Sequence, residues 1–169
     1  MATKKRQTTA ILLLMACLSL ASHAESKNRP RHAHDAFFTA SDATCHPGDT
    51  ATIDINLDNK ETVSGYQLDI IIPKGFSYLK VKGLRLGKRN RSHNLCHRQL
   101  NDTTTRLIVM SADLELTGAS GPVIHYKIVA DKDVAPGVYP ITYDRITATN
   151  REAATLKSDK FTSTITVTP

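Results

Sequence analysis

The chain has 169 residues and a formal net charge of +6, from 22 basic and 16 acidic residues. Its first 24 residues contain three of the basic residues and no acidic one, so the remainder carries a net charge of +3. This small excess argues against nucleic-acid binding. Tryptophan is absent, which argues against a module for crystalline polysaccharide, since such modules lay flat aromatic rings against sugar faces.

Residues 1–24 have the pattern of a signal peptide that is cleaved after Ala24. Basic residues at 4–6 precede an apolar stretch at 10–21, and small residues lie at the cleavage positions. The apolar stretch is too short to span a bilayer stably, and no second stretch of membrane length follows. We therefore predict an exported protein, either secreted, periplasmic or on the cell surface, with no transmembrane segment. The alternative is cleavage before Cys17, with a lipid anchor on that cysteine.

A polar stretch at 25–35 predicts a disordered leader, and a single folded domain of 36–169 follows it. From Ala36 onward, short segments alternate apolar and polar residues and are separated by turns rich in Pro and Gly. No window of helix length has an apolar period of 3.6 residues. The pattern predicts an all-β fold, a single antiparallel β-sandwich of about nine strands. The predicted strands are 37–43, 51–58, 65–72, 78–84, 93–99, 105–112, 122–130, 138–149 and 160–168.

Two cysteines, Cys45 and Cys96, follow the signal peptide. An even pair in an oxidising compartment makes a disulfide possible. The bond would close a loop of about 50 residues, which is worth roughly 4 kcal/mol in the chain-entropy model. It requires Cα atoms within roughly 7 Å of each other, so the pairing is a hypothesis that a structure can decide.

The densest positive charge lies between residues 80 and 98 and includes a basic surface of Arg85, Lys88, Arg89 and Arg91. One interpretation is a site for an acidic glycan, a phosphate-bearing polymer or an acidic protein. The other is a solvated loop whose charges maintain solubility and discourage edge-to-edge pairing of strands. Few aromatic residues interleave the basic ones, which argues against single-stranded nucleic acid.

The sequence predicts no catalytic, cofactor-binding or metal-binding site. Ser111, Asp113 and His125 could be combined into a triad, but no strained nucleophile turn of the Gly-x-Ser-x-Gly type occurs. His32 and His34 lie in the leader, where nothing fixes the geometry of a metal site. Paired carboxylates for glycoside hydrolysis are left open, although short turns leave little room for a deep cleft. A small secreted hydrolase is therefore the third hypothesis, and we expect that the protein is not an enzyme.

Four segments together resemble a known family in their order and spacing. They are Pro47–Ile53, Ser64–Ile70 with Pro73-Lys74-Gly75-Phe76 after it, Gly118–Ile128 and Ala135–Ile141. They resemble, in turn, the first turn and second strand, the G-x-Q-x-D/N third strand, the glycine turn into the eighth strand, and the glycine-led ninth strand of a cohesin-type domain. This domain is a secreted jelly-roll sandwich allied to bacterial carbohydrate-binding modules, and its best-known members bind dockerin modules.

The resemblance implies a jelly-roll sandwich and a secreted, non-catalytic binding module that recruits a dockerin-like protein partner or is associated with polysaccharide degradation. The alternative is a carbohydrate-binding protein for a soluble or anionic glycan. We expect a monomer without a cofactor. Binding through a sheet face, as the resemblance implies, would use outward residues of the third, fifth and eighth strands, namely Gln67, Asp69, His97, His125 and Lys127. The basic surface is the rival site.

Overall fold

The computed structural model describes residues 36–78 and 83–169, which fold into a sandwich of two β-sheets. The predicted all-β sandwich is confirmed. The predicted signal peptide at 1–24, with its cleavage after Ala24, and the predicted leader at 25–35 lie outside the described residues. Within the described part, no helix is long and apolar enough to cross a membrane.

The described part contains twelve strands and one turn of 3₁₀ helix, Lys88–Asn90. The strands are β1 Ala36–Ala40, β2 Ala43–Cys45, β3 Thr50–Asn59, β4 Gly65–Ile71, β5 Phe76–Tyr78, β6 Leu84–Leu86, β7 Asn94–Gln99, β8 Thr104–Met110, β9 Pro122–Ala130, β10 Gly137–Thr149, β11 Thr155–Lys157 and β12 Phe161–Val167.

The two sheets differ in size. The five-stranded sheet has the order β1-β3-β9, and β5 and β6 both pair with the far side of β9. The seven-stranded sheet has the order β2-β12-β10-β4-β8-β7, with β11 paired to the second half of β10. Among these pairs, β2 with β12 is parallel and the others are antiparallel. The strand β4 thus lies inside its sheet, and β7 forms an edge.

The predicted strand 37–43 divides between the sheets, because the chain changes sheet at Ser41 and Asp42. Ser41 Oγ accepts a hydrogen bond of 3.0 Å from the Asp54 N–H, and Asp42 Oδ1 accepts one of 2.7 Å from the Thr164 N–H. Short polar side chains can supply acceptors where the backbone leaves a ladder. This crossover explains why β1 and β2 are separate strands.

Only the two ends of the predicted strand 78–84 belong to the described part. The strand β5 ends at Tyr78 and β6 begins at Leu84, yet these two residues pair with positions of β9 only two residues apart. The residues between them are 79–83, of which residues 79–82 lie outside the described part.

The core lies between the sheets and is formed by the inward residues of each strand. Ile53 and Leu57 of β3 have 0% exposure, as their alternation predicts. Burying such a side chain contributes about 1.5–3 kcal/mol. Tyr126 and Tyr143 are also buried, and their hydroxyls share a hydrogen bond of 2.6 Å, while Ser163 Oγ lies 3.0 Å from the Tyr143 hydroxyl. Burial raises the pKa of Tyr143 to about 12, so both rings pack as neutral groups with their hydroxyls paired.

Candidate functional site

The five predicted partner-binding residues do not share one surface. Gln67 and Asp69 lie on β4, on the outer face of the seven-stranded sheet. His125 and Lys127 lie on β9, on the outer face of the five-stranded sheet, across the sandwich. The expectation of a single face containing all five was therefore wrong. The likeness of motifs located the strands along the chain but did not specify which sheet each strand joins.

His97 was also placed on the wrong side of its strand. It is exposed, but it pairs directly with Leu107, which is buried in the core. Directly paired residues of neighbouring strands face the same side of a sheet, so His97 lies on the inner side of the edge strand β7. Its neighbours Cys96 and Arg98 take the outer side. Sequence reasoning missed both, because a shift of one residue exchanges the two faces of a strand.

The outer face of β10, β4, β8 and β7 is a continuous surface of four neighbouring strands, and we refer to it as the outer sheet face. It consists of cross-strand rows. They are Asp144, Asp69, Arg106 and Arg98; then Thr147, Gln67, Ile108 and Cys96; then Thr149, Gly65, Met110 and Asn94. Met110 is 47% exposed and Ile108 is half-buried. The face thus combines apolar groups with polar and charged neighbours, as the core and rim of protein interfaces do.

Asp69 is covered by arginine side chains and does not offer a free carboxylate. Arg106 Nε lies 2.7 Å from Asp69 Oδ1 and Nη2 lies 2.8 Å from Oδ2, a bidentate pair. Arg145 Nε is 3.9 Å from the same carboxylate, whose side chain is 5% exposed. The hydrogen bonds that Arg106 donates to the Asp69 carboxylate raise the pKa of Arg106. The prediction that Asp69 contacts a partner directly is therefore corrected, since Arg106 and Arg145 are the groups that reach the surface.

A β-bulge in β10 exposes Arg145. The register of β10 against β4 shifts between Asp144 and Thr147, and Arg145 has a φ of +50°. The Asp144 carboxylate accepts a hydrogen bond of 2.7 Å from the Arg145 N–H, which stabilises this uncommon conformation of a non-glycine residue. Bulges redirect side chains, and Arg145 is 73% exposed. No glycine marks the position, so the sequence carries no signal for it.

Solved structures of known proteins share this architecture, although no family model and no curated protein sequence matches the chain. The sixth cohesin of scaffoldin B from Acetivibrio cellulolyticus, in complex with a Cel5 dockerin mutant, superposes with a TM-score of 0.69 at 9% identity, over 79% of this chain and 99% of that chain. The cohesin of a Clostridium thermocellum cohesin–dockerin complex, Coh-OlpA-Doc918, superposes with a TM-score of 0.68 at 15% identity, over 79% of this chain and 99% of that chain. A non-cellulosomal cohesin from the archaeon Archaeoglobus fulgidus superposes with a TM-score of 0.67 at 10% identity, over 80% of this chain and 92% of that chain. The domain has the cohesin fold.

The outer face of the five-stranded sheet forms a second polar surface of this cohesin-fold domain. His125 Nδ1 lies 2.6 Å from Asp54 Oδ1 on the neighbouring strand, and both side chains are partly exposed. Arg85 of β6 pairs with His125 from the other side. A shallow depression is lined by Thr52, Arg85, His125 and Lys127. One residue of the basic surface, Arg85, therefore joins two of the predicted partner-binding residues here.

Arg89 is part of the scaffold of the cohesin-fold domain. Its Nε and Nη2 donate to the carbonyls of Thr117 and Gly118, at 2.8 Å and 2.7 Å. Its Nη1 and Nη2 also donate to the Leu57 carbonyl and the Asn59 side chain. Burial lowers the pKa of Arg89. The prediction that Arg89 belongs to a free basic surface was wrong, and that surface is reduced to the exposed Arg85, Lys88 and Arg91.

Two buried polar side chains lie beside Arg89 in the chain. Asn90 is 1% exposed and its Nδ2 donates a hydrogen bond of 2.7 Å to the Tyr66 hydroxyl. His93 is 7% exposed, burial lowers its pKa, and neither ring nitrogen has a hydrogen-bond partner among the described residues. His93 therefore packs as a neutral ring. The sequence placed it on a solvated basic segment and carried no sign of its burial.

Cys45 and Cys96 are both free, with Cys45 buried and Cys96 exposed. They lie on β2 and β7, the opposite edge strands of the seven-stranded sheet. Five strand spacings of about 4.8 Å place them roughly 24 Å apart, far beyond the roughly 7 Å that a disulfide permits. The hypothesis of a Cys45–Cys96 disulfide is contradicted.

No metal cluster is apparent in the described part, where no three His, Cys, Asp or Glu side chains are close enough to share an ion. The outer sheet face offers groups for non-covalent contacts. Its arginines can bind carboxylates in a bidentate manner, and Ile108 and Met110 can pack against an apolar group.

Proposed function

We propose that this cohesin-fold domain is a non-catalytic module that binds a protein partner through its outer sheet face. The observation that carries the proposal is the composition of that face, where exposed Met110 and half-buried Ile108 adjoin Gln67 and a row of arginines. The cohesins from Acetivibrio cellulolyticus and Clostridium thermocellum described above were solved with dockerins bound, which supports a protein, and specifically a dockerin-like module, as the partner.

Three arginines define the kind of partner surface that this face fits. Arg98 and Arg145 are exposed, and Arg106 is held by Asp69 in a fixed orientation. Arginine is enriched among the residues that dominate interface energetics. A partner that offers carboxylates around a central apolar side chain would complement these groups. An interface of roughly 800 Å² per partner would cover the three rows.

The substitution Met110→Arg tests the proposal. It places a long charged side chain on the apolar part of the face and should weaken binding of purified dockerin modules by about tenfold or more, which is ~1.4 kcal/mol. The matched control, Thr52→Arg, adds the same side chain at an exposed position on the opposite face and should leave affinity unchanged. Biolayer interferometry with immobilised wild type and variants measures both.

Two results would contradict the proposal. Equal losses in both variants would show a general effect of charge or folding, and a loss in Thr52→Arg alone would move binding to the five-stranded sheet. Increasing ionic strength should weaken only the part of the binding that the exposed arginines contribute, because the apolar contacts of Ile108 and Met110 are not screened.

The alternative function, recognition of a soluble or anionic glycan, would use the exposed basic residues. Arg85, Lys88 and Arg91 are all exposed. In that case alanine at these three positions should abolish binding to an anionic oligosaccharide, and wild-type binding should fall steeply with salt. Met110→Arg should then have no effect.

We also infer that the module acts outside the cytoplasm, in association with polysaccharide degradation. The signal-peptide pattern at 1–24 and the cohesin fold support this. N-terminal sequencing of the exported protein should find Glu25 as its first residue. A modified Cys17 at the N-terminus would support the lipid-anchored alternative instead.

A further inference from the structure

The depression on the outer face of the five-stranded sheet has a volume of about 170 Å³. Its side chains come from three neighbouring strands, with Thr52 on β3, His125 and Lys127 on β9, and Arg85 on β6, and Gly83 also lines it. Thr52 pairs directly with Lys127, and Arg85 pairs directly with His125, so these side chains leave the same side of the sheet. The volume is below the roughly 300–1,000 Å³ of sites for drug-sized ligands. The depression therefore suits one small chemical group.

Two of these side chains are cations without a counter-charge. Arg85 is exposed and Lys127 is half-buried, and within the described part neither side chain has an ion-pair partner in the protein. The acidic residue of this row, Asp54, is paired with His125 instead, whose Nδ1 lies 2.6 Å from Asp54 Oδ1. These four groups therefore have a net positive charge in either protonation state of the imidazole ring.

The lining offers hydrogen-bond donors, and no carboxylate belongs to the lining residues that the structure describes. The Arg85 guanidinium presents a planar fork of donors that matches two oxygens of a phosphate. The Lys127 ammonium adds a second charge, and the Thr52 hydroxyl adds a neutral donor. Because His125 Nδ1 is paired with Asp54, Nε2 is the ring nitrogen left for a ligand, and it donates when the ring is doubly protonated. Such a set of donors selects an oxyanion.

We propose that this depression binds the phosphate group of a phosphate monoester. Such a group has a charge of about −1.5 to −2 at pH 7 and three acceptor oxygens, which match two cations and donors from three strands. The site lies across the sandwich from the outer sheet face, so the inference does not depend on the proposed protein partner. It shares Arg85 with the alternative glycan function, whereas Lys88 and Arg91 belong to that alternative alone.

Methyl phosphate and methyl sulfate are the probes, because they have similar shapes and differ in charge at pH 7.5. Two-dimensional NMR titration of the purified protein follows each backbone amide, at a constant ionic strength that keeps general screening fixed. Methyl phosphate should produce saturable shifts of the Arg85, His125 and Lys127 amides. Methyl sulfate should bind about threefold or more weakly, since it has a single negative charge whereas a phosphate monoester is close to a dianion.

Substitutions of the lining residues test the location of the anion. Arg85→Gln and Lys127→Gln should each weaken methyl phosphate by about fivefold or more, since each removes a charge-assisted contact. Thr52→Val keeps the shape of the side chain and removes the hydroxyl, so its loss should be smaller, about twofold. The matched controls, Lys88→Gln and Arg91→Gln, remove the same charge at exposed positions outside the depression and should leave the affinity unchanged. The spectrum of each variant without ligand reports whether it folds.

Four outcomes would overturn the inference. The first is wild-type protein that shows no saturable shift with methyl phosphate. The second is an equal loss of affinity in the lining variants and in the controls Lys88→Gln and Arg91→Gln, which would indicate a general effect of positive charge. The third is equal affinity for the two probes, which would remove the selection of phosphate. The fourth is saturable shifts at Arg98 and Arg145 in place of the depression, which would locate the anion on the outer sheet face.

Discussion

At the scale of single residues, Arg89 holds the loop at 117–121 against the end of β3. Its guanidinium donates to backbone carbonyls of both segments. We predict that Arg89→Ala lowers the free energy of unfolding by about 2–4 kcal/mol, because several acceptors lose a charged donor. Arg89→Lys should recover only part of the loss, since an ammonium lacks the planar fork of donors. Urea denaturation measures each change.

Two residues close to Arg89 in the chain provide matched controls for the Arg89→Ala substitution. Lys88 and Arg91 are exposed, so Lys88→Ala and Arg91→Ala should change the free energy of unfolding by less than about 0.5 kcal/mol. If Arg89→Ala were as mild as these two, its hydrogen bonds would contribute nothing net and the structural role would be refuted.

His93 predicts a dependence of stability on pH. Burial lowers its pKa in the folded protein, below the value of about 6.5 that applies when the chain is unfolded. The unfolded chain therefore binds more protons below about pH 6.5, and stability should fall as the pH decreases from there. One pKa unit corresponds to about 1.4 kcal/mol.

The substitution His93→Leu isolates this effect. It removes the titrating ring, so the loss of melting temperature between pH 7.5 and pH 5.5 should be smaller than in the wild type. His97→Leu is the matched control, because His97 is exposed, and it should retain the wild-type dependence. Identical profiles for wild type and His93→Leu would be incompatible with a buried neutral imidazole.

At the scale of secondary-structure elements, Gly87 allows the end of β6 to pass directly over β9. Its N–H donates a hydrogen bond of 2.9 Å to the Val123 carbonyl, and a Cβ here would lie 2.2 Å from the Pro122 carbonyl oxygen. Gly87→Ala should therefore force backbone to move and cost about 1–3 kcal/mol of stability. At Gly137 a Cβ would meet its nearest atom at 3.5 Å, so Gly137→Ala should be nearly neutral. Equal melting temperatures for the two variants would refute the close contact.

Much of the fold can be predicted from alternation alone, and the candidate site can be predicted only in part. The period of two residues in β3 correctly assigned Ile53 and Leu57 to the core. Alternation defines the two faces of a strand, but it carries no information about which sheet the strand joins. Gln67 lies on the outer sheet face, as predicted. His125 was predicted to lie on the same face, but its strand β9 belongs to the opposite sheet.

The remaining errors arose where long-range contacts override local pattern. Arg89 and His93 belong to a segment whose charge is typical of a solvated loop, and both are held by tertiary packing instead. The bulge at Arg145 depends on the pairing of β10 with β4, and the ion pair of Asp69 with Arg106 depends on the pairing of β4 with β8. In both cases the paired strands are distant in the chain. A single sequence contains no local signal for such contacts.

At the scale of the whole molecule, the two cysteines lie on opposite edges of one sheet, and their different exposure predicts different reactivity. Cys96 is exposed, while Cys45 is buried and its burial raises the pKa of the thiol, which reduces the reactive thiolate. In the folded, unreduced protein, iodoacetamide should alkylate Cys96 rapidly and Cys45 only after unfolding. Peptide mass spectrometry distinguishes the two sites. Recovery of a Cys45–Cys96 cross-linked peptide would contradict the arrangement of the sheet.

The parallel pairing of β2 with β12 has a mechanical consequence. The strands run side by side in the same direction, and the Thr168 N–H donates to the Cys45 carbonyl at 3.0 Å. Tension applied to the two ends of the domain would therefore pull these strands past each other and load their hydrogen bonds simultaneously in shear. Handles at Asn94 and Met110, a cross-strand pair of the β7–β8 hairpin, would instead open bonds one at a time. In single-molecule stretching, rupture from the ends should therefore require a higher force than opening of the β7–β8 hairpin, and the domain would resist a load carried along the chain more strongly than one applied across that hairpin.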